Sequence, residues 1–246
     1  MLTQLLMLQH ADTAFPSGGF AFSNGIEGLA GLGRPMTPMD LANAIAASLR
    51  HRWAGADRVA LVRAFRAYDD DDRLARIDTA FEAATLAEPM RAGSKRNGQS
   101  LLAAHARLGT PGAAHLRERL RNGQLHGHLP IVQGALWRAV GIKEYDAALM
   151  SGYQTASSMT AAAVRLGQIG AIEAQRALFS ALALIADIIQ QPADDVNLQD
   201  RQTIEPEAEA VEPRRTEDAP ILTSFIPYIE IAAMRHAAAD LRLFAN

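Results

Sequence analysis

The side chains that could do chemistry are few, and their spacing decides what chemistry is open to them. Seven histidines are present. His126 and His128 flank Gly127, and His10 stands two residues before Asp12. A metal site needs three or four converging ligands, so one such pair supplies half of a set at most. The ordinary reading makes His126 and His128 surface or structural, has His10 and Asp12 cap a helix, and puts His51 and Arg52 on a solvated helix face. The rival reading is a helical metal-binding protein or enzyme using His10, His126 and His128.

Catalytic signatures are missing elsewhere. The chain has no cysteine, which removes a thiol nucleophile, a zinc ribbon, an iron–sulfur cluster and a disulfide scaffold. Lys95 follows Ser94 and Lys143 follows Ile142, so no P-loop is present. Gly31-Leu32-Gly33 runs into Arg34-Pro35, which breaks a dinucleotide fingerprint. His-Glu-x-x-His and Gly-x-Ser-x-Gly do not occur. No catalytic residue and no metal ligand set is therefore expected.

Two segments stand out for docking rather than catalysis. Between Ala11 and Glu27, Phe15, Phe20 and Phe22 cluster around Pro16 and the pair Gly18-Gly19. Paired glycines permit backbone geometry that a side chain forbids. The segment reads either as a buried loop plugging a helical core or as an exposed aromatic anchor. At the other end, Met234-Arg235-His236 and Arg242-Leu243-Phe244 mix cations with apolar anchors. A helix dipole accounts for a terminal cation, at roughly 0.3–1 kcal/mol, but not for the Leu-Phe that follows.

The elements that must position these segments are helical. Of 246 residues, 48 are Ala and 28 are Leu, both good helix formers. Residues 2–10 and about 22–31 read as short helices. Thr37-Pro38 with Asp40 is a helix start, and Leu41, Ile45, Leu49 and Trp53 then mark one apolar face. Gly55 is expected to interrupt, with a further helix from Val59 to Tyr68. The run Asp69–Asp72 is a loop and cap. Leu74, Ile77, Phe81 and Thr85 give the next face, closed by Pro89. Helices follow over 99–108, 113–121, 129–140, about 144–164 and about 170–190. No window alternates with period two, so the expected fold is all-α, a single bundle-like domain of about eight to ten helices.

Charge divides the chain. The net charge is −3, and residues 199–220 hold seven acids against three arginines. With Pro206, Pro213 and Pro220, that stretch reads as a disordered acidic linker. The expected organisation is a domain over 1–198, the linker over 199–220, and a docking helix and tail over 221–246. The near-neutral remainder carries no basic stripe for nucleic acid. No segment is apolar enough to span a membrane, and no positive region precedes the apolar N-terminus as in a signal peptide. The expected location is the cytoplasm.

Three blocks carry a resemblance. The segment Leu8 to Glu27 is similar to the Phe-Pro-x-Gly-x-Phe…Ser-x-Gly-Leu-Glu signature of the urease accessory protein F family. Ala163-Val164-Arg165-Leu166-Gly167-Gln168 is similar to that family's segment between two long helices. Met234-Arg235-His236 with Arg242-Leu243-Phe244 resembles its C-terminal end. The resemblance implies a non-enzymatic, all-helical chaperone of urease maturation, acting as a homodimer. It implies accessory protein D/H, the GTPase accessory protein G and the urease apoprotein as partners. No cofactor would be held stably, nickel being handled by the complex and GTP by the partner GTPase. Carried over by position, Phe15, Pro16, Gly18, Gly19, Phe20, Asn24, Gly25, Glu27, Gly167 and Gln168 would lie at the assembly surface. Arg235, His236, Arg242, Leu243 and Phe244 would form a tail that orders on binding. A generic helical adaptor unrelated to urease is the remaining alternative.

Overall fold

The computed structural model describes residues 1–12, 14–19, 22–31, 35–193 and 221–238. It is all-α, with no strand among the described residues. Three short helices come first: α1 (Leu2–Ala11), α2 (Ile26–Ala30) and α3 (Pro38–Ser48). Helices α4 (Arg58–Arg66), α5 (Asp71–Ala84), α6 (Glu88–Arg107), α7 (Ala113–Arg121) and α8 (Leu129–Ala139) follow. The long pair α9 (Glu144–Arg165) and α10 (Ala171–Ile189) is succeeded, across residues 194–220, by α11 (Pro227–Ala237). The acidic stretch 199–220 and the tail residues Arg242, Leu243 and Phe244 lie outside the described residues, as does Phe20.

Local chemistry sets the boundaries. The Thr37 hydroxyl accepts from the Asp40 N–H at 3.2 Å, and the Asp40 carboxylate accepts from the Thr37 N–H at 2.9 Å. This reciprocal box satisfies two donors that a helix start leaves open. Asp70 does the same work for α5, accepting from the Arg73 N–H at 2.9 Å.

Several boundaries differ from the sequence reading: the helix read over about 22–31 spans only Ile26–Ala30, after the left-handed Gly25, and the segment read as a docking helix from 221 turns helical only at Pro227. Pro89 does not close α5, which ends at Ala84; it sits in the first turn of α6. Its missing N–H is harmless there, so a residue read as a stop is a start, and α6 begins well before Gln99. Nor does Gly55 interrupt. The chain stays helical from α3 into α4 through a π-helical segment, Leu49–Asp57. Two carbonyls of this segment also accept from a neighbouring stretch of chain. The extended residues 221–226 use them: Thr223 N–H donates to Gly55 at 2.9 Å and Phe225 N–H to His51 at 2.8 Å. A Cβ on Gly55 would overlap Thr223, so glycine here serves a close approach rather than a break. Arg52 is also not a solvated cation. Its side chain pairs with Asp57 at 3.2 Å and lies over the Phe81 ring.

Three apolar clusters fill the interior. The first gathers Trp53 with residues of α3, α9 and α10 and with Ile229 of α11. The second binds α5, α6 and α8 through Phe81, Leu101 and Ile131, and the third gathers Phe65, Trp137 and Met150. A buried Arg58 locks the end of α10 to this frame, donating to the carbonyls of Ile188 and Gln191, both at 2.8 Å. A cationic donor on the last carbonyls of a helix satisfies groups that have no partner within it. No helix of the described residues is long and apolar enough to cross a membrane.

Candidate functional site

Residues from the first and last blocks fold against each other. Helix α11 lies on α2, and Gly28 lets it do so: a Cβ there would overlap the Ala232 backbone carbonyl. Gly25, at φ +85°, caps α2 beneath Ile229, a conformation and a space that both favour glycine. The Glu27 carboxylate lies 3.0 Å from Nε2 of His236, and both side chains are almost enclosed. Asn24, at φ 50°, donates from its amide to the Ser158 hydroxyl of α9 at 2.7 Å. From the middle block, the Gln168 side-chain oxygen accepts from the Met36 N–H at 3.3 Å. Gly167 sits exposed at φ +67° in the turn after α9. Arg235 is exposed, whereas His236 is buried.

The loop after α1 is held by aromatic packing. Phe15 is buried, 4.7 Å from the His10 ring and 5.5 Å from His105 of α6, and the two imidazoles stack at 5.1 Å. Pro16 is exposed. Gly18, at φ +80°, crosses over Ser100 of α6. Phe15 therefore joins the core, the first of the two readings for this segment, and Phe22 is buried under Arg96. Burial pushes His105 down to about 4, and His10 is also lowered by burial. Both rings are neutral near pH 7.

An amide relay fixes the same loop from the opposite side. Gln133 of α8 donates to Gln154 of α9 at 2.8 Å, and Gln154 donates to the His10 carbonyl at 2.7 Å. His10, Gln133 and Gln154 line a cavity of about 590 Å³, within the range of small-molecule sites. The sequence reading missed Gln133, Gln154, Ser158 and His105. All four sit on ordinary helical stretches and acquire their roles only when distant helices meet.

The pair His126 and His128 belongs to the scaffold. Asp78 is fully buried and accepts from the backbone N–H groups of His126, Gly127 and His128, at 2.6, 2.8 and 3.2 Å. The His128 Nε2 lies 2.6 Å from Glu82. Burial lowers His128 despite the pull of Asp78 and Glu82. Burial of Glu82 is outweighed by Lys95 and His128, which hold its carboxyl below the usual range. His10 packs with Phe15 and His105 instead of joining this cluster. Among the described residues, no group of three or more His, Asp or Glu is arranged to hold a metal ion.

What the arrangement offers is surface. On α11 and the residues before it, Phe225, Tyr228, Ile231 and Met234 are exposed, while Ile229, Ala232, Ala233 and His236 face inward. On α1, Leu2, Leu5 and Leu8 are exposed as well. Apolar side chains left open on two terminal helices suit protein recognition.

Comparison with known proteins gives these blocks a context. The UreF family model matches residues 36–182. The chain is 28% identical to "Urease accessory protein UreF" of Trichodesmium erythraeum, over 99% of this chain and 97% of that protein. It is 27% identical to the protein of the same name from Yersinia enterocolitica serotype O:8, over 98% and 96% of the two chains. The matched residues run from the start of α3 into α10, and the likeness to the relatives reaches both terminal blocks; the chain belongs to the UreF family.

Proposed function

We propose that this chain is a urease maturation factor that does no chemistry itself and works as a docking scaffold. Its partners in this reading are accessory protein D/H, the GTPase accessory protein G and apo-urease. The complex delivers nickel to the urease active site, and GTP is hydrolysed by the partner. The scaffold acts as a homodimer in the cytoplasm, and the tail beyond α11 orders when a partner is present.

The observation that carries this reading is the docking of α11 on α2. It joins the aromatic-glycine segment to the C-terminal helix through Gly28 and the Glu27–His236 contact. Apolar side chains of α11 remain open on its outer side. Fixing one helical face while exposing the other is what a scaffold needs, because a preformed surface lowers the entropy lost on binding.

The test is urease activation in a host that lacks only this chain. Restored urease activity and nickel content on re-expression are expected. Unchanged urease nickel content without the chain overturns the proposal. Equilibrium dialysis of the isolated chain with nickel addresses the rival: tight stoichiometric binding lost in His126→Ala would favour a metal-binding protein.

A further inference from the structure

The chain holds three Asn-Gly dipeptides, Asn24-Gly25, Asn97-Gly98 and Asn122-Gly123. Such a pair can react with itself, because glycine has no side chain to hinder ring closure. The glycine backbone nitrogen attacks Cγ of the asparagine. The N–Cγ bond forms, the Cγ–Nδ2 bond breaks, and the amide nitrogen leaves as ammonia with the proton of the glycine N–H. Water then opens the resulting succinimide at either carbonyl. One opening gives an aspartyl linkage. The other gives an isoaspartyl linkage, which routes the main chain through the side-chain methylene.

The fold treats the three pairs differently. Asn97 is buried inside α6, where the helical ladder engages the N–H of Gly98. Asn122 is exposed at the end of α7, but the Gly123 N–H donates to the Leu120 carbonyl at 3.2 Å. Asn24 is exposed, and the Gly25 N–H has no hydrogen-bond partner among the described residues. Asn24 and Gly25 also line the cavity described above, which gives solvent access to the pair. The Asn24 side chain is restrained by its amide, which donates to the Ser158 hydroxyl at 2.7 Å.

Around this pair the packing leaves no slack. Gly25 is buried at φ +85°, where a Cβ would lie 2.5 Å from the Ile229 side chain of α11. Gly28 then packs on the Ala232 carbonyl. An added main-chain methylene displaces Gly25 and the start of α2, and a close-packed contact has no void to absorb it. The aspartyl product loses the donor that Ser158 accepts. We infer that Asn24-Gly25 is a site of spontaneous deamidation, and that its conversion undoes the docking of α11 on α2. Ammonia is lost to solvent, so the change runs one way.

Ageing the purified full chain at mildly alkaline pH, followed by peptide mass spectrometry, tests the site. Asn24 is expected to convert first, Asn122 more slowly, and Asn97 only when the chain unfolds. Ser158→Ala frees the Asn24 amide and is expected to speed conversion there and not at Asn122. Conversion adds a negative charge, so ion exchange separates converted from intact chain. In an Asn122→Gln background that charge reports position 24. The converted fraction is expected to lose hydrogen-exchange protection over 227–237 while α8 and α9 keep theirs, and the intact fraction to lose none.

Asn24 left intact after ageing, or converted later than Asn122, overturns the site. Conversion that Ser158→Ala does not speed overturns the restraint by Ser158. A fraction converted at position 24 with full protection over 227–237 overturns the effect on α11.

Discussion

His10 and His105 show how one pair of side chains sets the working range of the first block. Their rings stack at 5.1 Å, and His105 is fully buried with its titration pushed down to about 4. An unfolded histidine titrates near 6.5. Below that value the unfolded chain takes up protons that the folded chain refuses, so unfolding is favoured as pH falls. The stabilisation is complete above about pH 6.5 and is lost progressively down to about 4, amounting to roughly 3 kcal/mol for His105. Thermal unfolding followed from pH 7 to pH 4 should show this loss, and His105→Phe, which keeps a ring in the stack, should flatten it. Equal pH slopes for the two proteins would remove the assignment. Little of this is legible in the sequence, where His10 reads as a capping residue and His105 as one position in a helix. The pairing joins residues 95 positions apart, and only the approach of the end of α1 to α6 creates it.

At the scale of elements, the sequence reveals helices well and their ends less well. Periodicity finds α3, α5, α8, α9 and α10, because each buries one face. Gly55 misleads because its local meaning depends on a neighbour from elsewhere in the chain, and Pro89 because proline suits a first helical turn as well as it stops a helix. Gly55 admits Thr223, as Gly28 admits Ala232. Gly28→Ala is therefore expected to displace α11 at a cost of about 1–3 kcal/mol, the usual price of overpacking. Hydrogen exchange should quicken over 227–237 while α8 and α9 stay protected; uniform quickening would mean that α11 is not a separable unit. Arg58→Met makes the contrasting case. It leaves two carbonyls at the end of α10 without their cationic donor. A global loss of about 3 kcal/mol is expected in urea unfolding, with α11 no more affected than the rest.

For the whole molecule, the division of labour follows charge and order. Residues 199–220 carry a net −4, and the helical remainder sits near neutrality. That remainder presents exposed apolar side chains on α1, α10 and α11. The tail beyond α11 holds Arg242, Leu243 and Phe244, tethered to a helix that is already docked on α2. On the function proposed above, in which the tail orders on its partner, anchoring α11 shortens the segment that binding must order and so reduces the entropy that the partner must offset. A single charge-assisted hydrogen bond from Arg242 is worth about 1.5–3 kcal/mol, or roughly a 10- to 150-fold change in affinity. Arg242→Ala is thus expected to weaken capture of the GTPase by that factor, with unchanged circular dichroism and an unchanged sedimentation profile. Gly28→Ala, which displaces the anchor and keeps Arg242, is expected to weaken the same capture through a slower association rate. If Arg242→Ala binds as tightly as the unsubstituted chain, the tail is not the recognition element. If Gly28→Ala alone binds normally, the tail acts without its anchor, and α11 serves the fold rather than the partner.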